Sequence, residues 1–289
     1  MYTMSQVQFR ACTKKCIWRM KVKKKILPEV IAMDYTVFVK EVYKLTSIDL
    51  ALYKERQMKR RIDSLIKKEG FDGYDSFLAG LKKDKNLYER FISYLTINVS
   101  EFFRNIEQWK ILNNEIFPYI LEKFSKRPVI WSAACSTGEE PYSLVMALSR
   151  FVPLKNIHII ATDIDKQVLA KAKLGIYNEK SISGIPKEFV EKYMIKNDNY
   201  TYSVCDEVKK CVEFRQHNLL RDPYIMNCDL IVCRNVLIYF TEDAKDTIFA
   251  NFNKSLKEGG VLFIGSTEQI IKPKSLGFET WKTFFYRKA

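Results

Sequence analysis

The sequence is poor in the residues that metal clusters, membrane spans and phosphate loops require. It holds two histidines and seven cysteines, none spaced as CxxC, which argues against a zinc cluster and for a reducing compartment. No apolar run approaches the roughly 18–20 residues that span a bilayer, and the basic N-terminus has no apolar signal core. Only ten glycines are present, without a GKS, GKT or complete GxGxxG string. These features predict a cytoplasmic protein without a metal site.

What is present supports a folded core and a basic surface. The chain is 47% hydrophobic and 13% aromatic, and its net charge is +14. Half of that excess lies in residues 1–32, which hold eight basic residues and one acidic residue. This leader has no helical or strand period. We therefore expect a disordered arm, or an extension upstream of a start near Met33, in preference to a nucleic-acid-binding arm.

Residues 33–97 carry apolar side chains at helical spacing, punctuated by glycines, which predicts a small all-α domain. One helix, predicted over 50–69, carries seven basic residues diluted by acidic ones. A solvated, ion-paired helix face is the commoner explanation of such a pattern. The alternative is a docking surface for an acidic partner, because clustered positive charge speeds encounter with one.

From about residue 127, short apolar runs alternate with helical stretches. Strands are predicted over 129–134, 157–162, 212–216, 229–233, 261–265 and 283–287, and helices over 142–151, 166–174 and 242–257. This alternation predicts an α/β fold with a mostly parallel, doubly wound sheet. Ligands in such sheets bind at the carboxyl ends of the strands, near the point where strand order reverses. The polar residues at those ends are therefore the site candidates.

The first two strand ends indicate an adenosine-type cofactor. The first strand leads into CSTGEEP at 135–141, a small-residue loop with one glycine before a helix. The second, in which we interpret His158 as a core residue, ends at Asp163 and Asp165. We assign Asp163 to the two ribose hydroxyls and Asp165 to helix capping. NAD and S-adenosylmethionine both remain possible, and the missing pyrophosphate glycines favour the sulfonium cofactor.

Two later strand ends add polar residues to the same edge. Asn218 and Leu219 are predicted to hydrogen-bond and pack on adenine, and we interpret His217 as a polar residue at the strand edge. Arg234 and Asn235 follow a buried strand. Because burying these groups unpaired costs several kcal/mol, we expect a ligand to pair with them.

These residues lie in strings that resemble the bacterial chemotaxis receptor methyltransferases of the CheR type. The strings are NVSEFFRN (98–105), WSAACSTGEEPYSLVMAL (131–148), ATDID (161–165), CRNVLIYF (233–240) and GGVLFIGSTE (259–268). The resemblance covers the chain from about residue 33 to its end. It implies a small all-α domain at 33–97 and a linker helix region at 98–127. It also implies a Rossmann-like S-adenosylmethionine-dependent methyltransferase domain at 128–289, with a small β subdomain inserted at 176–211.

The resemblance also implies an activity and a set of site residues. The activity is methyl transfer from S-adenosylmethionine to glutamate side chains on chemoreceptor cytoplasmic helices, giving methyl esters and S-adenosylhomocysteine. Arg104 and Tyr239 are expected to act at the reacting centre, Arg104 by steering the carboxylate or holding the cofactor. The implied cofactor-binding residues are Asn98, Ser100, Arg104, Glu139, Asp163, Asn218, Leu219, Arg234 and Asn235.

The sequence departs from the family pattern in two places. The leader has no counterpart, and the insert at 176–211 lacks the Gly-rich loop of members that tether to a receptor tail, which argues against tethering. An alternative acceptor such as nucleic acid is encouraged by the net charge of +14. Amine methyltransferases commonly carry an (Asp/Asn)-Pro-Pro-aromatic loop after the strand that here ends at Arg234 and Asn235. The only similar string, Asp-Pro-Tyr at 222–224, lies before that strand, which argues against an amine acceptor. We expect a monomer that docks receptor helices through 50–69, without nucleic-acid binding or membrane insertion.

Overall fold

The computed structural model describes residues 33–289, so the basic leader lies outside the described residues. Its α-helices, in chain order, are α1 Tyr35–Thr46, α2 Glu55–Lys68, α3 Tyr74–Lys83, α4 Lys85–Thr96, α5 Ile106–Ile111, α6 Phe117–Lys123, α7 Glu139–Leu148, α8 Lys166–Leu174, α9 Glu179–Ile182, α10 Lys187–Tyr193, α11 Asp206–Lys209 and α12 Glu242–Ser255. The strands are β1 Val129–Ala133, β2 His158–Asp163, β3 Ile176–Asn178, β4 Met194–Lys196, β5 Thr201–Val204, β6 Val212–Gln216, β7 Cys228–Cys233, β8 Leu256–Ile264, β9 Phe278–Lys282 and β10 Phe285–Lys288.

Helices α1 to α4 pack around a small core of their own. Asp34 and Asp84 cap α1 and α4, each accepting a hydrogen bond from a backbone N–H of the first turn. The apolar stripes of the helices meet at Phe38, Phe77 and Phe91, all fully buried. Phe77 and Phe91 pack edge to face with ring centroids 5.5 Å apart. The predicted all-α domain is confirmed by this arrangement.

The rest of the chain is built on a seven-stranded sheet of order β6-β2-β1-β7-β8-β10-β9. The first five strands in that order are parallel, and β10 runs antiparallel to both of its neighbours. The chain moves outward from β1 to β2 and β6, then returns to β7 on the other side of β1. Strand order therefore reverses between β1 and β7, which is where an open α/β sheet binds its ligand.

Alternate side chains of the strands enter two cores, one on each face of the sheet. Helices α5, α6 and α7 contribute to the first core, and α12 contributes to the second. Between α8 and β6, a three-stranded antiparallel sheet of order β3-β5-β4 forms the small β unit within 176–211. The predicted doubly wound fold is confirmed, with helices on both faces of a mostly parallel sheet.

Three local predictions were wrong. The basic helix predicted from residue 50 begins at Glu55, because a short 3-10 turn occupies Leu50–Leu52 first. Strand β9 was not predicted; its Phe278 is buried but its next two residues are exposed, which hides the strand pattern. His158 lies at the first position of β2 with its side chain 60% exposed, 3.5 Å from Glu213, and is not a core residue.

The helical domain is tied to the sheet beside the reversal point. The backbone N–H of Lys54 donates to the carbonyl of Tyr239 at 2.9 Å, and that of Thr241 donates to the carbonyl of Leu52 at 2.9 Å. These bonds flank a bridge between Tyr53 and Phe240, whose rings pack edge to face. The segment after β7 is thus held by the helical domain. No helix within residues 33–289 is long and apolar enough to cross a membrane.

Candidate functional site

A cleft of ≈ 730 Å³ lies at the carboxyl ends of β1, β2, β6 and β7, where strand order reverses. Tyr53 and residues 95–97 of the helical domain close it, together with Asn98 and Val99, which follow that domain. Predicted site residues that line this cleft are Asn98, Asp163, Asn218, Leu219, Arg234, Asn235 and Tyr239. Seven positions from four separate segments are thereby brought together.

The loop after β1 approaches the cleft through a constrained backbone. Ala134 and Ser136 have φ values of 61° and 49°, and Gly138, which precedes α7, has φ 95°. A Cβ at Gly138 would lie 2.9 Å from the Cβ of Ala172 on α8, so only glycine fits there. Ser136 is buried, and its N–H donates to Asp163 Oδ2 at 2.9 Å.

Asp163 is buried at the end of β2 and faces the cleft. Its Oδ2 accepts from Ser136, and its Oδ1 accepts from the Asp165 N–H at 3.0 Å. Burial raises the pKa of the Asp163 carboxyl to about 6, although the backbone donors oppose that rise. Asp165 caps α8 through Gln167 N, as predicted. The two acids therefore have different surroundings, and Asp163 is the one that faces the cleft.

At the end of β6 the structure corrects the interpretation of His217. The residue is buried rather than at an exposed edge, and its ring packs edge to face on Trp131 and Tyr224. Nε2 lies 3.2 Å from the carbonyl of Pro223, which fixes the proton on that nitrogen. Burial lowers the pKa of the imidazole below its ordinary value, so the ring is neutral at neutral pH. Asn218 Oδ1 accepts from Leu220 N at 2.9 Å, which orders the turn after the strand.

Arg234 differs from expectation in part, because protein groups pair with its Nη atoms, whereas its Nε has no partner in the described part of the chain. Nη2 donates to the carbonyl of Arg104 at 2.7 Å, to Gln108 Oε1 at 3.0 Å and to Asn105 Oδ1 at 3.1 Å. Nη1 lies 3.5 Å from Glu140 Oε2. For the two Nη atoms the expectation of a ligand partner was wrong, because these acceptors lie more than 90 residues away in sequence. Arg234 fastens the segment 104–108 to the end of β7.

A smaller cavity of ≈ 320 Å³ adjoins the cleft and is lined by Ser100, Arg104 and Glu140, among others. Its walls carry both signs of charge, which suits a zwitterionic group. Glu139, which was predicted from the same loop, lines neither cavity in the described structure. It is buried, and its carboxylate accepts from Thr137 Oγ1 at 2.7 Å.

Glu268, which was not predicted, holds the loop that carries Asn235 and Tyr239. Its buried carboxylate accepts four backbone N–H groups: Oε2 from Asn235 at 2.8 Å and Gly265 at 2.9 Å, Oε1 from Leu237 at 2.6 Å and Ile238 at 3.3 Å. Burial nonetheless raises its pKa above the ordinary glutamate value. Its position just after β8, inside the string GGVLFIGSTE, is the sequence feature that could have identified Glu268.

We expect Glu268→Gln to destabilise the fold by about 1–3 kcal/mol, because an amide NH₂ replaces one oxygen and faces two N–H donors. Urea unfolding monitored by circular dichroism measures the change. The matched control is Glu258→Gln, since that side chain is 76% exposed on β8, the strand that precedes Glu268. Equal unfolding free energies for the two variants would show that the carboxylate does not hold the loop.

Three buried polar atoms at the cleft have no hydrogen-bond partner within the described part of the chain. They are Ser136 Oγ, His217 Nδ1 and Arg234 Nε, and all three residues line the cleft. Buried polar atoms without a partner are uncommon and call for an explanation such as a ligand. A nucleoside with hydroxyl groups and a ring edge matches the donors and acceptors offered, so the residues fit an adenosine-bearing cofactor.

Comparison with known proteins decides the family. The family model described as "CheR methyltransferase, SAM binding domain" matches residues 98–284, and "CheR methyltransferase, all-alpha domain" matches residues 33–96. The chain belongs to the CheR methyltransferase family. The chemotaxis protein methyltransferase of Listeria monocytogenes is 44% identical over 261 residues, which are 89% of this chain and 97% of that protein. That of Borreliella burgdorferi is 34% identical over 252 residues, covering 83% and 89%.

Family membership confirms the predicted cofactor and the broad activity. A CheR protein with these two domains is an S-adenosylmethionine-dependent methyltransferase of chemotaxis. Among solved structures, the chain is similar to PKMT2 from Rickettsia typhi in complex with AdoHcy, with a TM-score of 0.35 and 17% identity over 57% of this chain and 26% of that chain. The sequence relatives, rather than this distant likeness, identify the CheR family.

The raised pKa of Asp163 predicts opposite pH trends for binding and stability. As pH falls through about 6, the carboxyl gains a proton and accepts fewer hydrogen bonds, so affinity for S-adenosylhomocysteine should fall. Stability of the free protein should rise over the same range, because a folded pKa above the unfolded value of about 3.9 favours the protonated fold.

Calorimetric titration from about pH 5 to about pH 8, with thermal unfolding in the same buffers, measures both trends. The control is Asp163→Asn, which cannot titrate and should remove the contribution of this residue to the pH dependence of affinity and of stability. An affinity that falls equally in the variant would assign the pH dependence to another group.

Proposed function

We propose that this CheR protein transfers a methyl group from S-adenosylmethionine to glutamate side chains of chemoreceptor cytoplasmic domains, forming the methyl esters of chemotactic adaptation. The observation that carries the proposal is the cleft at the sheet reversal point, closed by a helical domain with a basic face. Sequence relatives named chemotaxis protein methyltransferases support the same process. Docking and transfer are thus proposed for adjoining parts of one chain.

The proposed chemistry asks the protein for positioning rather than for a general base. A glutamate carboxylate has an ordinary pKa of about 4.3 and is already ionised at neutral pH. S-adenosylmethionine, when bound, supplies a methyl group that is activated by its own sulfonium charge. What remains is to align the carboxylate and exclude water, and alignment is worth up to about 7–11 kcal/mol in intramolecular comparisons.

Arg104 and Tyr239 are the residues proposed for this alignment. The backbone carbonyl of Arg104 is held by Trp109 Nε1 at 3.0 Å and by Arg234, so its position is fixed. Arg104 lines the smaller cavity, and its Nη1 makes one long hydrogen bond, 3.4 Å, to the carbonyl of Val99. It is therefore available to pair with a carboxylate. Tyr239 lines the larger cleft beside the bonds that join the two domains.

The proposed cofactor-binding residues divide by their position. Asp163 is assigned to the ribose, and Asn218 with Leu219 to adenine, in the larger cleft. Ser100 and Arg104 are assigned to the zwitterionic methionine end, in the smaller cavity. The remaining proposed residues are Asn98 and Asn235 at the cleft, Arg234 as the group that fixes segment 104–108, and Glu139 through the turn that it orders.

We propose that the regions of the chain also have separate functions. The helical domain at 33–97 docks the receptor, the region 98–127 links it to the sheet, and residues 128–289 bind the cofactor and carry out transfer. The small β unit at 176–211 belongs to this last region, and its side chains pack into the first core. Support for docking comes from α2, where Arg56, Lys59, Arg60 and Lys67 line a shallow groove. Within the described residues these four make no salt bridge.

Charge reversal of Arg56, Lys59 and Arg60 to Glu should lower receptor methylation at least about tenfold at low salt and leave cofactor affinity unchanged. The reason is that clustered charge speeds encounter with an acidic partner, and salt screens exposed charges beyond about 8–10 Å. Initial rates at two salt concentrations measure the effect. The matched control reverses Lys171, Lys173 and Lys180, which are exposed outside the helical domain. Equal losses in the two triple variants would show that the effect comes from the change in net charge and not from the position of these residues on α2.

Methyl-ester formation itself is tested with tritiated S-adenosylmethionine and membranes that carry a methyl-accepting chemoreceptor. Label that base releases as methanol supports transfer to glutamate. Base-stable label on protein, or label on added nucleic acid with none on the receptor, would contradict the proposal. A chain with Arg104→Ala serves as the inactive control, because its fold should be intact.

A further inference from the structure

The carboxylate of Asp165 serves two parts of the molecule at once. Its Oδ1 caps α8 through Gln167 N at 2.8 Å. Its Oδ2 accepts from Ser93 Oγ at 2.7 Å, from Asn98 Nδ2 at 2.9 Å and from Thr96 Oγ1 at 3.3 Å. Ser93 and Thr96 lie at the end of the helical domain and Asn98 follows it, and the acid is 1% exposed. A cap alone needs one oxygen, so the second has another role.

The second role of the carboxylate is to orient the side chain of Asn98. The two hydrogens of its Nδ2 are taken by Asp165 Oδ2 and by Thr96 Oγ1, the latter at 2.8 Å. The amide is therefore turned so that only Oδ1 is left to serve the cleft, which Asn98 lines. An acceptor in this position suits a hydroxyl or ammonium group and not a carboxylate.

We propose that Asp165 is a positioning residue for cofactor binding, which acts by holding the Asn98 carbonyl oxygen toward the cleft and the end of α4 against the end of β2. The inference rests on the cofactor role proposed for Asn98. It is separate from the capping role of Asp165, because Asn and Ser cap helices about as well as Asp does. It also gives the helical domain an effect on cofactor affinity through Asp165, since Ser93 and Thr96 belong to that domain.

A double-mutant cycle on the full chain tests this, with the dissociation constant of S-adenosylhomocysteine as the readout. Asn98→Ala and Asp165→Asn should each raise that constant about tenfold, the cost of one hydrogen bond. In the double variant the two changes should not add, because Asp165 acts through Asn98. The single-turnover rate at saturating cofactor should change less than the affinity does.

The outcomes separate this inference from the proposed site. If Asn98→Ala weakens binding and Asp165→Asn does not, or if their effects multiply, positioning through Asn98 is overturned. If Asn98→Ala leaves binding unchanged, the proposed role of Asn98 fails and this inference falls with it. Asp165→Ser provides a second variant that keeps the cap should Asp165→Asn fold poorly. Asp84→Asn, the same change at the exposed cap of α4, is the control that should bind as wild type.

Discussion

Asp163→Ala should raise the dissociation constant of S-adenosylhomocysteine at least about 100-fold. The carboxylate is assigned to two ribose hydroxyls, and a charge-assisted hydrogen bond contributes about 1.5–3 kcal/mol. The change also frees the Ser136 N–H, which Asp163 Oδ2 holds at 2.9 Å, so the loop after β1 loses its anchor. Isothermal titration calorimetry measures the affinity. Binding to the variant at wild-type strength would remove Asp163 from the site.

Asp163→Asn distinguishes the two causes of that loss. An amide of the same shape retains one acceptor oxygen for the loop but loses the charge. We expect an affinity between those of wild type and Asp163→Ala. Thermal unfolding of each free variant shows whether the fold is intact, and a folded protein with weak binding is the expected result.

Arg104→Lys should lower the single-turnover rate of methyl transfer by about 10- to 100-fold at saturating cofactor. Lysine keeps the positive charge but cannot pair with a carboxylate through a planar fork. The backbone should not move, because Phe102 and Phe103 are buried on one side and Trp109 holds the Arg104 carbonyl on the other. A loss in rate without loss in stability would therefore report on the reacting centre.

Two further variants calibrate that result. Tyr239→Phe removes a single hydroxyl and should cost less than Arg104→Lys, because it does not alter the charge in the cavity. Arg90→Lys makes the same exchange in the helical domain, where Arg90 pairs with Glu69 and neither residue lines the cleft. It should react at the wild-type rate. Wild-type rates for both Arg104→Lys and Tyr239→Phe would place the reacting centre elsewhere along the strand ends.

Local patterns predicted the sheet well, because buried parallel strands give short apolar runs that the chain itself displays. Strand β6 and helix α8 begin and end where expected, and Asp165 caps α8 as expected. The exception was the edge of the sheet. Strand β9 has few buried side chains, so its sequence lacks the apolar run that identified the central strands.

The site was less accessible from sequence, because its parts meet only in the folded chain. Strand ends pointed to Asp163 and Asn218, but nothing near Arg234 shows that the carbonyl of Arg104, 130 residues away, accepts its hydrogen bond. The same limit hid the four N–H groups at Glu268 and the second role of Asp165. Residues whose partners are distant in sequence require the structure.

The central claim is that one molecule of cofactor spans both cavities, with its ribose at Asp163 and its methionine end beside Arg104. A crystal structure of the protein with S-adenosylhomocysteine tests this most directly. We predict ribose hydroxyls within about 3 Å of the Asp163 carboxylate and the homocysteine sulfur facing Arg104 and Tyr239. A ligand seated outside the cleft, or with its ribose away from Asp163, would contradict the account.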